Sequence, residues 1–177
     1  MNLPWRTAAL SSAVRLLTTL LGHKRIPSQE GGIEVVVEEL AVRMVLKGHK
    51  LTCYNRSGHN VAGAEFDTKH KKEYKGIRLK KVLTLNFKGF AAVTSSVFAT
   101  IAASFGRYDV VHIHAEGPAF MCWLPKLFRK KVVVTIHGLD HLRAKWGKMA
   151  STYIMMGEKN AVRFADSIIV LSKEHWH

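Results

Sequence analysis

Lys131-Val132-Val133-Val134-Thr135-Ile136, followed by His137-Gly138, is the stretch on which the fold turns. Five uncharged residues, four of them Val or Ile, read as a β-strand. Their apolar side chains fall on both faces, as expected of a strand covered by helices on both sides. Ser167–Leu171, with Ile168, Ile169 and Val170, has the same character, and Asp109–His114 carries Val110, Val111 and Ile113. Leu16–Leu21 is the first apolar strand, Lys50–Asn55 a short one, and Ile77–Leu85 an alternating one.

Helical patterns lie between these strands. Gly31-Gly32 opens a helix whose Ile33, Val36, Val37, Leu40, Ala41 and Met44 share one face, with Glu34, Glu38 and Arg43 off it and Gly48 as the stop. Ala91–Ser104 is a small-residue helix, Pro118–Phe128 a helix that Pro125 kinks or ends, and Met149–Ala165 a third. Arg56–Lys72 is polar and reads as a loop. Strands alternating with helices specify βαβ units and a parallel sheet, hence an α/β, Rossmann-like, doubly wound domain.

The 177 residues suit one domain able to bury a core without staples. At 47% hydrophobic residues, whole-chain disorder is excluded. Cys53 and Cys122 are the only cysteines, so neither a disulfide framework nor a zinc finger fits, and a reducing compartment does. The net charge of +14 asks for an anionic partner: nucleic acid, an anionic membrane or a phosphorylated substrate. Basic residues gather at Lys69–Lys81 and at Lys126–Lys131, without any nucleic-acid-binding motif beside them. Residues 1–15 form a basic, apolar-rich extension ahead of the first strand.

In an open parallel sheet, ligands bind beyond the carboxyl ends of the strands. That rule selects three places. Pro27-Ser28-Gln29-Glu30-Gly31-Gly32 opens a helix whose free N–H groups suit a phosphate, although a plain tight turn also explains the glycine pair. His112 and His114 point to one face of their strand and, with Glu116 and His137, raise the idea of a metal; histidines satisfied by neighbouring hydrogen bonds are the stronger reading. His137 and Gly138 close the apolar strand at the sheet's carboxyl edge, where an imidazole can bind a ligand or cap the following helix.

These stretches resemble the N-terminal domain of a family-four glycosyltransferase of the GT-B fold, nearest to the rhamnosyltransferase-like branch of bacterial exopolysaccharide and capsule synthesis. The resemblance is carried by Gly22–Glu34, by Asp109–His114, by Val134–Asp140 running on to Arg143-Ala144-Lys145-Trp146-Gly147, and by the segment from Glu158 to Ala165–Ser172. It implies sugar transfer from a nucleotide sugar to a saccharide on a polyprenyl diphosphate, with no metal and no cofactor. Gly31 and Gly32 would face the donor diphosphate and His137 the donor sugar. His114, Glu116, Gly138, Asp140, Arg143, Lys145 and Trp146 would line the cleft or the acceptor side. A GT-B enzyme also needs a donor-binding C-terminal domain, which residues 16–177 do not contain. The chain is therefore expected to be inactive without such a domain, whether as a fragment or as the acceptor half of a split enzyme. Its expected location is the cytoplasm, peripheral at the inner face of the plasma membrane. A basic nucleic-acid-binding protein is the alternative from another class, supported by charge alone.

Overall fold

The structure is a computed structural model, and it describes residues 15–28, 31–57, 71–85, 90–138 and 148–171. The elements run β1 (Leu17–Leu21), α1 (Gly32–Leu46), β2 (Lys50–Arg56), β3 (Glu73–Tyr74), β4 (Ile77–Val82), α2 (Phe90–Phe105), β5 (Val110–His114), α3 (Glu116–Ala119), α4 (Trp123–Leu127), β6 (Lys131–Ile136), α5 (Lys148–Phe164) and β7 (Ser167–Val170). The sheet order is β3-β4-β2-β1-β5-β6-β7, parallel except where β3 runs against β4. This is the expected doubly wound architecture. The chain moves outward from β1 to β2 and β4, then returns to lay β5 on the other flank of β1. The strand order therefore reverses between β1 and β5, which is where such sheets open a crevice for ligands.

Among the described residues, one helix covers one face of this sheet and four cover the other. Val37 and Ala41 of α1 pack on Leu20, Leu51, Cys53, Ile77 and Leu79. On the opposite face Leu21, Val111, Ile113, Val132 and Val134 meet Ala99 and Ala103 of α2, Ala119, Cys122 and Ala161 of α5. The small side chains of α2 let it lie close to the sheet. Its buried hydroxyls are satisfied within the helix, Ser96 donating to the Ala92 carbonyl, Thr100 to Ser96 and Ser104 to Thr100. At the other rim Asp166 ties the start of β6 to the α5–β7 turn, accepting from the Val132 N–H at 2.7 Å and from Lys126 Nζ at 2.8 Å. Lys131 stands 3.5 Å from the same carboxylate. Two members of the second basic group are thus partly neutralised.

Four expectations are corrected. The helix expected over 118–128 is two short helices, because Pro125 has no N–H to give the Met121 carbonyl and a new turn starts with it at Trp123. The strand expected from Ile77 to Leu85 ends at Val82. Strand β7 is an edge strand, with Ile169 exposed, so its apolar run is not covered on both faces. Glu34, expected on the outer face of α1, is buried. Two-residue β3 pairs with β4 across a turn at Lys75-Gly76, within a stretch where no strand was expected.

Candidate functional site

The carboxyl ends of β1, β5 and β6 deliver four histidines to one place. His23 leaves β1, His112 and His114 belong to β5, and His137 follows β6. His112 and His114 share a face and stack with ring centroids 4.3 Å apart. His114 Nδ1 lies 3.1 Å from His137 Nε2, and their rings are 5.4 Å apart. Thr135, one strand over, holds His112 Nε2 at 2.7 Å. The last turn of β1 closes on this group: a Cβ at Gly22 would sit 2.1 Å from the His114 carbonyl oxygen.

Burial keeps the interior rings neutral. Desolvation lowers His23 to about 4, helped by the charge of Arg56 against a raising hydrogen bond from Asn55. Desolvation likewise lowers His112 to about 4, helped by His137. His114 is pushed well below 6.5 by desolvation, then by its neighbours His112, His23 and His137.

The tautomers follow from who meets whom. Asn55 Oδ1 can only accept, so His23 carries its proton on Nε2 and donates across 3.2 Å, leaving Nδ1 as a lone pair with no partner among the described residues. His114 Nε2 also meets no partner among them. An orphaned N–H is a costlier thing to bury than an orphaned lone pair. His114 therefore holds its proton on Nδ1 and donates to His137 Nε2. That bond uses the Nε2 lone pair of His137, whose own proton then sits on Nδ1. His137 itself is half-buried at the end of β6.

The loop after β1 is anchored by groups that periodicity did not single out. The Asn55 side chain accepts from the Ile26 N–H and donates to the Ile26 carbonyl, at 3.1 and 2.9 Å. Glu34 Oε1 accepts from the Lys24 N–H at 3.0 Å. Its other oxygen would lie 2.8 Å from a Cβ at Gly31, so the glycine makes room for that carboxylate. Gly32 is exposed, and a Cβ there would meet nothing within 4 Å. The opening N–H groups of α1 thus point past an uncluttered residue, with Glu34 already countering part of the helix's positive end.

Of the residues expected at the site, His114 and His137 meet, with Gly138 next in the chain, while Gly31 and Gly32 stand where α1 opens after the β1 loop. His114 and Glu116 lie fully buried. The Glu116 backbone faces α5, where Gly157 allows an approach a Cβ would block at 2.0 Å. Asp140, Arg143, Lys145 and Trp146 lie outside the described residues. The His112, His114 and Glu116 set does not converge on a common point: the two rings stack, and among the described residues no three His, Cys, Asp or Glu are placed to hold a metal ion. His23 was the missed member. Its position one residue beyond an apolar strand, much as His137 follows β6, was the available sign.

Among the described residues no helix is long and apolar enough to cross a membrane. No curated protein matches the chain. Two solved structures share the fold: a sucrose-phosphate synthase from Thermosynechococcus elongatus (TM-score 0.62, 16% identity, 89% of this chain and 43% of that one) and HepE of Anabaena, determined with UDP and glucose (TM-score 0.55, 13% identity, 87% of this chain and 37% of that one). The chain thus spans less than half the length of either. Residues 30–175 match the family described as Glycosyltransferase Family 4, a span that runs from the glycine pair of α1 past β7. With that match over most of its length, on a sheet shared with GT-B glycosyltransferases, the chain belongs to Glycosyltransferase Family 4.

Proposed function

We propose that this chain is the acceptor-side, N-terminal domain of a GT-B glycosyltransferase. It serves transfer of a sugar from a nucleotide sugar to a polyprenyl-diphosphate-linked saccharide, in the rhamnosyltransferase-like branch of exopolysaccharide assembly. The observation that carries the reading is the packing of Gly22 on the His114–His137 pair at the β1–β5 switch point, with Gly31-Gly32 opening α1 after the β1 loop. HepE, similar in fold, was determined with UDP and glucose, which supports a nucleotide-sugar ligand for this crevice.

In this reading the diphosphate lies against the first turn of α1, whose N–H groups and dipole favour an anion. The bond from the anomeric carbon to the donor phosphate breaks, a bond to the acceptor oxygen forms, and the nucleoside diphosphate leaves, taking up the proton that the acceptor hydroxyl loses. His137 Nδ1–H donates to the donor sugar, oriented from behind by His114. Gly138 keeps the backbone beside it small, and Asp140, Arg143, Lys145 and Trp146 belong to the acceptor side. A second, donor-binding Rossmann-like domain completes the cleft. No cofactor or metal enters the reaction. The polyprenyl acceptor sets the work at the cytoplasmic membrane face, to which the net charge of +14 adds attraction.

Titration of the chain with UDP-glucose, followed by backbone amide NMR, tests the crevice. Saturable shifts are expected at Gly22, Gly31, Gly32 and Gly138, and they should weaken about tenfold when Gly32→Asp places a carboxylate against the diphosphate. Shifts scattered over the basic surface, indifferent to Gly32→Asp, would refute the placement.

A further inference from the structure

The opposite rim of the sheet carries a feature unconnected with the histidines. At the amino ends of β1, β2 and β4, next to the turn that leads into β5, lies a cavity of about 500 Å³. That is the size range of small-molecule sites, roughly 300–1,000 Å³. Its wall is charged in one sense: Lys50, Arg78, Lys80 and Arg107 line it, against the single carboxylate of Glu73.

The four come from three segments that are remote in sequence. Lys50 opens β2. Arg78 and Lys80 alternate along β4 with the buried Ile77 and Leu79, so both stand on the face away from α1. Arg107 follows Gly106, where the chain leaves α2. All four are exposed. Four other cations find carboxylates: Arg43 meets Glu39, Lys75 meets Glu38, and Lys126 and Lys131 meet Asp166. Lys50, Arg78, Lys80 and Arg107 have no such pairing among the described residues. Asp109, at the same rim, already accepts the Leu17 N–H at 2.7 Å.

The wall is also organised. Lys80 Nζ lies 5.7 Å from the ring centroids of both Tyr54 and Tyr108, whose hydroxyls are 3.2 Å apart. Burial pushes the Tyr108 phenol up, yet hydrogen bonds from Tyr54, Thr52 and Lys80, and the Lys80 charge, bring it below its ordinary value. A group of like charges held together repels itself unless an anion joins it. Two guanidiniums and two ammoniums converging on a cavity larger than a single phosphate fit phosphoryl oxygens, which Arg meets as a fork and Lys as a point charge.

We propose that this cavity is a second anion site, built for a phosphomonoester or diphosphate group, carried either by a free metabolite or by a lipid headgroup. It stands apart from the proposed donor crevice, since a five-residue strand such as β1 separates the two rims by about 15 Å.

Inorganic pyrophosphate, titrated at about 0.15 M salt so that loose surface attraction is screened beyond ~8 Å, is the probe. Saturable amide shifts are expected at Leu17, Lys50, Gly76 and Tyr108. The Arg78→Gln/Arg107→Gln variant should bind about tenfold or more weakly, while Lys159→Gln on α5 binds as wild type. Flotation with phosphatidic acid vesicles, against phosphatidylcholine vesicles, separates the sources. Wild-type flotation lost in the double variant identifies a headgroup; pyrophosphate binding without flotation identifies a free metabolite. Shifts that never saturate, shifts confined to Gly31 and Gly32, or equal weakening by Lys159→Gln would overturn the proposal. The wild-type shift map decides the matter even if the double variant folds poorly.

Discussion

Acidification from about pH 7 to about pH 5 is expected to remove several kcal/mol of folding stability, well before the carboxylates titrate. The cause is the histidine group under the switch point. Each buried ring has a folded-state pKa below the ordinary 6.5 that it regains on unfolding. Between the two values the unfolded chain binds a proton that the folded one does not, so stability is full above 6.5 and is lost as the pH falls toward about 4. For His23 and His112 the loss by about pH 5 is on the order of 2 kcal/mol each, and His114 adds to it. Urea unfolding by far-UV circular dichroism at both pH values measures it. A midpoint that does not move would mean the rings are hydrated or paired with carboxylates.

Replacing Gly22 by alanine should destabilise the fold by about 3 kcal/mol or more. Gly22 has φ of +101°, and its new Cβ would stand 2.1 Å from the His114 carbonyl oxygen. That oxygen belongs to the neighbouring strand and cannot swing away as a flexible side chain does. Relief means prising β1 from β5 next to the Leu21–Ile113 register pair. Gly48→Ala is the control, with φ of +90° but nothing within 4 Å of the added atom. It should cost only the conformational penalty, about 1–2 kcal/mol. Equal losses in the two variants would show that close packing of β1 on β5 is not what the glycine secures.

Both predictions concern the place where the sequence was most and least legible. Lys131–Ile136 is a strand to the residue, because five β-branched side chains in a row after Lys131 leave few other structures. Helix α1 was legible from its apolar period and its terminal glycine. The histidines at the ends of β5 and β6 were legible because the strand ends themselves were. Their hydrogen bond was not, since it depends on β5 and β6 being neighbours in the sheet. Glu34 escaped for a related reason: a helix period assigns a carboxylate to solvent, and only the loop after β1 supplies the N–H that draws it inside. The break at Phe120–Cys122 was hidden by a pattern that stays apolar across it. The basic cavity could not be read at all, as Lys50, Arg78 and Arg107 meet only through strand order.

The most direct measurement of the central claim compares transfer by the wild-type chain with that by His137→Ala. Each is combined with a family donor domain and assayed for transfer of radiolabelled sugar, from a panel of nucleotide sugars, to polyprenyl-diphosphate-linked saccharides. Loss of a donor acting at the reacting sugar should slow transfer about 100-fold or more; the urea midpoint falls as well, because the buried His114 N–H loses its acceptor, so the rates are compared under conditions where both chains are folded. Transfer at an undiminished rate in His137→Ala would contradict the account.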